Sequence, residues 1–295
     1  MIKTIESQLV YPTTSKLGEG AWWDDIEQKL YWIDILQNKV YCYNPINKSN
    51  TGWDVGEPVG TIVLCKKGDA LLGLKNGLAR LNLDTGAIQH LVDPEKDKPN
   101  NRFNDGKCDP QGRFWVGSIG NDGTENTAAL YCYESNGHIE VKIPNVTISN
   151  GLVWSRNQKT FYYIDSITQS IHAYDYDPTS GSIANQKTIV TFDLQKEGVP
   201  DGMAIDEQDN LWVAMFGGSS VICVDSSSYQ KIHSVTLPVT NVTSCAFGGP
   251  DLNELYITTA TVALSDQQLE QQPLAGSLFK AKVPYKGRPA FRFSS

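Results

Sequence analysis

The chain has 295 residues, 40% of them apolar and 10% aromatic, enough to bury a sizeable core. Its formal charge is −8, with 25 Lys and Arg residues scattered along its length, which argues against a phosphate backbone as partner and excludes a nucleic-acid binder. It has no run of eighteen apolar residues, and Met1-Ile-Lys-Thr-Ile-Glu6 lacks a signal-peptide core, so no membrane and a cytoplasmic location are expected.

One phrase recurs six times in chain order: a position in a turn, an apolar strand, a polar turn, and a second strand with an aromatic in its first two residues in five of the six. The second strands are Leu30-Tyr-Trp-Ile-Asp34, Leu71-Leu-Gly-Leu74, Phe114-Trp-Val-Gly117, Phe161-Tyr-Tyr-Ile-Asp165, Leu211-Trp-Val-Ala214 and Leu255-Tyr-Ile-Thr258. Their starts are 41 to 50 residues apart, the spacing of four-stranded propeller blades. A third strand follows each (Lys39-Val-Tyr-Cys-Tyr43 is typical), and turns such as Asp84-Thr-Gly86 and Glu134-Ser-Asn-Gly137 lead to a fourth. The expectation is an all-β, six-bladed propeller forming one domain over residues 1–295. The last unit lacks a clear fourth strand, and the alternating stretch Ile5…Leu9-Val10-Tyr11 is left over at the start. The N-terminal strand is therefore expected to complete the last blade and close the ring. Six cysteines fall mostly within strands, show no Cys-x-x-Cys spacing and read as buried thiols in a reducing compartment.

The innermost strand of a propeller blade lines the central channel, so its first residue lies at one mouth. Counting back ten or eleven residues from each second strand gives Glu19, Thr61, Asn104, Asn150, Asp201 and Ser244, a ring of oxygen-bearing side chains. Glycine follows Glu19, Asn150 and Asp201 directly and permits unusual backbone angles there. Two carboxylates beside two amides in a partly desolvated channel would repel each other unless a cation lay between them. All-oxygen ligation favours Ca²⁺, Mg²⁺ or Mn²⁺, and carboxylates also accept Zn²⁺. For any single position, Asn-Gly or Asp-Gly is an ordinary turn dipeptide; four in register, with Glu19 among them, are not explained by turns.

Other layouts find no support. His90, His138, His172 and His233 fall in or beside outer strands, leaving no His-ligated metal and no Ser–His–Asp relay. Asp175-Tyr-Asp177 sits where each blade has a hairpin and lacks the terminal Glu of a calcium loop. Long loops over 92–103, 118–128 and 261–276 lie at the same mouth as the ring, so Arg102, Asp122 and Glu125 are within reach of a ligand there.

Asn101-Arg-Phe-Asn-Asp-Gly-Lys107 followed by Asp109-Pro-Gln-Gly-Arg-Phe-Trp-Val-Gly117 resembles the signature of the senescence marker protein (regucalcin)/gluconolactonase family. So do Gly18-Glu-Gly20, Ser149-Asn-Gly-Leu-Val-Trp-Ser155, Pro200-Asp-Gly202 and Thr243-Ser-Cys-Ala-Phe-Gly-Gly-Pro-Asp-Leu252. The matches run in the family's order from residue 18 to 279. The resemblance implies a six-bladed propeller with one divalent metal that hydrolyses sugar lactones or related esters. It implies Glu19, Asn150 and Asp201 as metal ligands, Asp201 also as general base, and Arg102 and Asn104 as substrate contacts. Some animal members carry a substrate-binding Glu after the third blade's Gly-Thr-Met; here Gly117-Ser-Ile-Gly-Asn-Asp122 follows, so Asn121 or Asp122 takes that place. The resulting expectation is a metal-dependent lactonase acting on an aldonolactone, as a monomer or small homo-oligomer. Beside it stand a metal-dependent esterase or phosphotriesterase and a non-catalytic calcium-binding or docking propeller.

Overall fold

The computed structural model describes residues 2–294. Six antiparallel four-stranded sheets stand in a ring, in chain order. Their inner strands are Gly18–Asp24, Val59–Leu64, Asn101–Cys108, Ser149–Trp154, Val199–Ile205 and Val242–Gly248. All six are buried along most of their length, whereas outermost strands such as Ser49–Asp54 are half exposed, the gradient expected when apolar strands pack toward an axis.

The recurrent aromatic of the second strand fills the space between neighbouring blades. Trp32, Trp115 and Trp212 are fully buried, each removing about 200 Å² of surface from water, worth about 5 kcal/mol as an upper bound. Two of them carry the same polar device. Asp109 accepts hydrogen bonds from Gln111 N (3.0 Å), Arg113 N (2.9 Å) and Trp115 Nε1 (3.0 Å). Asp206 accepts from Gln208 N (2.8 Å), Asn210 N (2.9 Å) and Trp212 Nε1 (3.1 Å). One carboxylate thus closes the turn between the first two strands and satisfies the indole six residues later.

The N-terminal stretch forms two strands, one more than its alternation suggests. Gln8–Tyr11 pairs antiparallel with Leu278–Lys282 and completes blade six, as expected, with Leu9 opposite Phe279. Lys3–Glu6 instead pairs parallel with Lys231–Thr236 and adds a fifth strand to blade five. A dozen residues therefore staple the last two blades and cover two sheet edges.

At the other terminus, residues 283–294 run beneath the channel and reach every blade. Gly287 N donates to Leu252 O (2.7 Å) in blade six, and Glu207 N of blade five donates to Lys286 O (2.8 Å). Arg288 Nη2 donates to Trp154 O (2.6 Å) in blade four, and Arg292 pairs with Asp24 (2.5 Å) in blade one. Phe293 N donates to Leu64 O (2.9 Å) in blade two, and Ser294 N to Gly112 O (2.9 Å) in blade three. This strap has no counterpart in the repeat.

Candidate active site

Each inner strand gains one residue over its partner near its start, a β-bulge repeated six times, as in the shifts between Glu19 and Trp22 and between Pro200 and Met203. Bulges at a rim turn side chains off the pleat, here toward the channel mouth. Gly20, at φ 61, takes the left-handed backbone that the bulge after Glu19 requires, and its N–H donates to Glu19 Oε2 (2.9 Å).

The register also revises the expected ring. Ala70, not Leu71, pairs with a buried apolar residue near the end of its third strand (Leu81), as Leu30 does with Tyr43 and Phe114 with Tyr133, so blade two presents Gly60 rather than Thr61. A Cβ on Gly60 would lie 2.2 Å from Phe103 O, so only glycine permits this approach of blades two and three. In blade six a longer turn moves the position from Ser244 to Thr243, whose hydroxyl donates to Gly18 O (2.5 Å). Thr61 Oγ1 donates to Gly106 O (2.9 Å). The oxygens available to a ligand narrow to Glu19, Asn104, Asn150 and Asp201.

These four lie together. The Glu19 and Asp201 side chains are hydrogen-bonded to each other, and each residue is only 8% exposed. Asn104 Nδ2 donates to Asn150 Oδ1 (2.9 Å) and Ser149 O (2.7 Å). Arg102 joins the two pairs: its Nη1 donates to Asn104 Oδ1 (2.7 Å), and its charge acts on both carboxyls. Burial raises the pKa of Glu19 and of Asp201 above the ordinary carboxylate value; the negative charge of Asp105 raises both further and that of Glu19 raises Asp201, whereas the hydrogen bond with Asp201 pulls Glu19 back down. Burial draws Arg102 down to about 10, which leaves it a cation at neutral pH.

Four supports hold this group, and none of them was singled out from the sequence. Asp34 Oδ2 and Oδ1 accept from Lys16 N (2.8 Å) and Leu17 N (3.1 Å), and Asp165 accepts from Thr147 N (3.0 Å) and Ile148 N (2.9 Å). Each pins the chain two residues before Glu19 or Asn150. The signal was present, since both are the closing Asp of an Ile-Asp second strand. Ser166 accepts from Asn150 Nδ2 (2.8 Å) and donates to Pro200 O (2.6 Å), so one buried hydroxyl aims the Asn150 oxygen into the channel and ties it to the residue before Asp201. Glu95, buried in the loop before blade three, accepts from Ser118 Oγ (2.8 Å), Tyr131 OH (2.9 Å) and Asn101 Nδ2 (3.1 Å). It fixes the start of the strand that carries Arg102. A loop carboxylate carries no sequence mark of such burial.

The structure also separates Asn121 from Asp122. Asn121 Oδ1 accepts from Arg102 Nε (3.1 Å), whereas Asp122 is turned into its own loop, accepting from Thr124 N (3.0 Å) and Asn100 Nδ2 (2.9 Å). Glu125 is exposed.

For a cation, the residues present fit. Two buried carboxyls are pressed together at a cost that a divalent ion would remove, and Asn150 supplies a third, amide oxygen. Among the described residues no three His, Cys, Asp or Glu side chains gather as a metal site, so any ion here depends on that amide.

Comparison with known proteins gives the family. Residues 17–261 match the SMP-30/Gluconolactonase/LRE-like region. The chain belongs to this family. The Bacillus subtilis (strain 168) protein "Putative sugar lactone lactonase YvrE" is 39% identical over 284 residues, covering 96% of this chain and 97% of that one. Regucalcin of Xenopus laevis is 37% identical, with 95% of each chain covered. A solved luciferin-regenerating enzyme superposes with a TM-score of 0.91 at 33% identity, covering 97% of each chain. Family membership and the six-bladed ring, closed by the N-terminal strand, thus match what the sequence implies.

Proposed function

We propose that this family member is a divalent-metal-dependent lactonase that opens an aldonolactone, of the gluconolactone type, to its sugar acid. The observation that carries the reading is the buried Glu19–Asp201 pair with Asn150 beside it and a cationic Arg102 at its edge. A docking propeller has no use for two carboxyls in its channel, and one relative is named as a putative sugar lactone lactonase, another as regucalcin.

In this reading Glu19, Asn150 and Asp201 hold one Ca²⁺, Mg²⁺, Mn²⁺ or Zn²⁺. A bound ion supplies a Lewis acid for the lactone carbonyl and for the negative charge that develops there. Arg102, steadied by Asn121, and Asn104 orient the sugar hydroxyls. Asp201 takes a proton from the attacking water as the new C–O bond forms. It returns that proton to the ring oxygen as the old C–O bond breaks, leaving a hydroxy acid. We further propose that residues 1–295 act as one domain, in the cytoplasm, as a monomer or small homo-oligomer. Buried thiols at Cys42, Cys108, Cys132, Cys223 and Cys245 support a reducing compartment.

The test is acid release from a panel of aldonolactones, aryl esters and phosphotriesters by metal-stripped protein re-supplied with each ion. Lactone hydrolysis should vanish on chelation and return with a hard divalent ion. Full activity in protein shown by elemental analysis to be metal-free would overturn the metal role, and preference for an ester or phosphotriester would overturn the substrate.

A further inference from the structure

Above blade three, on the same face as the oxygen ring, a cleft of about 480 Å³ opens between the loop ahead of the inner strand, the loop over 121–127 and the end of the outer strand Ile139–Val146. Its volume is that of a small-ligand site, but such sites are mostly apolar. Here Asn, Asp and Thr supply seven of the nine lining residues, and Pro99 is the one apolar member. The charged groups are engaged within the walls. Lys98 Nζ donates to Glu95 Oε1 (3.3 Å) and Thr127 O (2.8 Å), and Asp122 accepts from Thr124 N (3.0 Å) and Asn100 Nδ2 (2.9 Å). What remains for a ligand is neutral. Asn101, only 5% exposed, directs its amide hydrogens to Glu95 Oε2 (3.1 Å) and Thr127 O (3.1 Å), and its Oδ1 meets no donor among the described residues. That oxygen converges with Thr127 Oγ1 and Asp122 Oδ1 over Gly120, where an added Cβ would lie 3.4, 2.8 and 3.3 Å from them. At the outer end the side-chain amides of Asn126 and Asn145, both exposed, bond to no described residue.

The cleft adjoins the pair assigned above to orienting the substrate. Arg102 follows Asn101 in the chain, and its partner Asn121 follows Gly120 and donates its N–H to Asn100 O (2.9 Å). A substituent on a lactone held at Arg102 therefore has the cleft beside it. Other loops of this mouth offer apolar surface instead: Leu36, Ile167 and Leu194, at blades one, four and five, are 44%, 49% and 46% exposed. In the cleft an anion finds no unengaged cation, a cation finds no unengaged carboxylate, and an apolar chain would strip water from the amides without replacing it. Neutral hydroxyls, donors and acceptors at once, exchange hydrogen bonds one for one with Asn101 Oδ1 and the two open amides. We infer that the cleft is a subsite for a second sugar unit, so that the substrate is an aldonolactone carrying a glycosyl group, a disaccharide lactone. The substrate assignment rests on the lactonase reading; the sugar site itself does not.

Maltobionolactone, cellobionolactone and lactobionolactone are compared with gluconolactone in metal-loaded protein. At least one should exceed gluconolactone about tenfold in kcat/KM, the contribution of two neutral hydrogen bonds, and mainly through KM. The double variant Asn126→Gly, Asn145→Gly removes both amides while keeping the left-handed backbone at these positions (φ 61 and 58). It should erase the excess and leave gluconolactone hydrolysis unchanged. Gluconolactone turned over at least as well as all three, or an excess that survives in the double variant, would overturn the second-sugar site while the lactonase reading stands. Chelated protein isolates binding from chemistry: maltose, cellobiose or lactose should shift the side-chain amide resonances of Asn126 and Asn145 saturably, each assigned through its glycine variant. If the unmodified protein opens no lactone, the substrate assignment falls with the lactonase reading and these signals decide the sugar site. Absence of a saturable shift overturns that site in either case. Should the double variant not fold, the two single variants carry the comparison, and an unchanged preference in both refutes the proposal.

Discussion

At the front of the channel the inner strands present Glu19, Asn104, Asn150 and Asp201, each set on a bulge; four residues further along the same strands come Trp23, Cys108, Trp154 and Ile205, beside the strap. The two ends differ in kind although one set of strands builds both. The front concentrates buried charge and gains no net stability from it, since two adjoining carboxyls oppose folding at neutral pH. The rear concentrates apolar contacts and a strap tied to all six blades. One end is arranged for chemistry and the other holds the ring rigid enough for that chemistry to be placed.

If that division is right, changes at the front should alter rate and metal affinity, and changes at the rear should alter stability. The largest effect is expected from Asp201→Asn, which keeps size and one oxygen but removes the proton acceptor. With the ion held well above its dissociation constant, kcat should fall by about 10²–10⁴ while the melting temperature holds or rises. An unmodified kcat in metal-loaded Asp201→Asn would show that Asp201 is not the base.

The rear counterpart is Phe293→Ala. Phe293 is 1% exposed and stacks on Tyr133 at 5.7 Å, so its loss should cost about 3–5 kcal/mol in unfolding experiments, with kcat unchanged. A kcat that falls as far as it does in Asp201→Asn would mean that the two ends are not separable.

Much of this contrast was legible in the residues. The repeat, the ring closure and the four polar positions followed from period, because every blade repeats one packing problem. Blade two was miscounted by one, since Ala70 stands where other blades open with Leu or Phe, and blade six because its first turn is longer. The strap was not legible: Arg288-Pro-Ala-Phe-Arg-Phe293 has neither period two nor a partner in the repeat, and its contacts exist only once six blades surround it. Ser166 and Glu95 were equally hidden, because a buried hydroxyl or loop carboxylate is defined by what folds against it.

Ser166 tests whether the front depends on such support. Ser166→Ala removes the acceptor that holds Asn150 Nδ2 and should weaken divalent-ion binding by about 10–100-fold in a direct titration, while Ser166→Thr retains part of it. Unchanged affinity in Ser166→Ala would show that Asn150 needs no such alignment.

The charge conflict at the front has its own signature in metal-free protein. Glu19 is raised from 4.5 to about 8, so between those values the folded state holds a proton that the unfolded chain has released. Stability is therefore greatest below about pH 4.5 as far as this group is concerned, and falls as pH rises toward about 8. Glu19→Gln should flatten that slope and raise the melting temperature of the stripped protein at pH 8, yet abolish the gain on adding the ion. A stripped protein whose stability rises across this range in the unmodified form but not in Glu19→Gln would contradict the sign.

The smallest effects should separate Asn121 from Asp122. Asn121 touches the Arg102 guanidinium, so Asn121→Ala should loosen the group that orients substrate and raise KM by a few fold, about what one neutral hydrogen bond contributes, with little change in kcat. Asp122 is held by Thr124 and Asn100 within its own loop, and Asp122→Ala should leave both constants within error. Arg102→Ala sets the ceiling, since a fully buried cation is lost, and a double Arg102→Ala, Asn121→Ala variant should be no worse than Arg102→Ala alone if Asn121 acts only through Arg102. Additive losses in the double variant would instead give Asn121 its own contact with the substrate, and a large effect of Asp122→Ala would mean that the loop turns inward when the lactone binds.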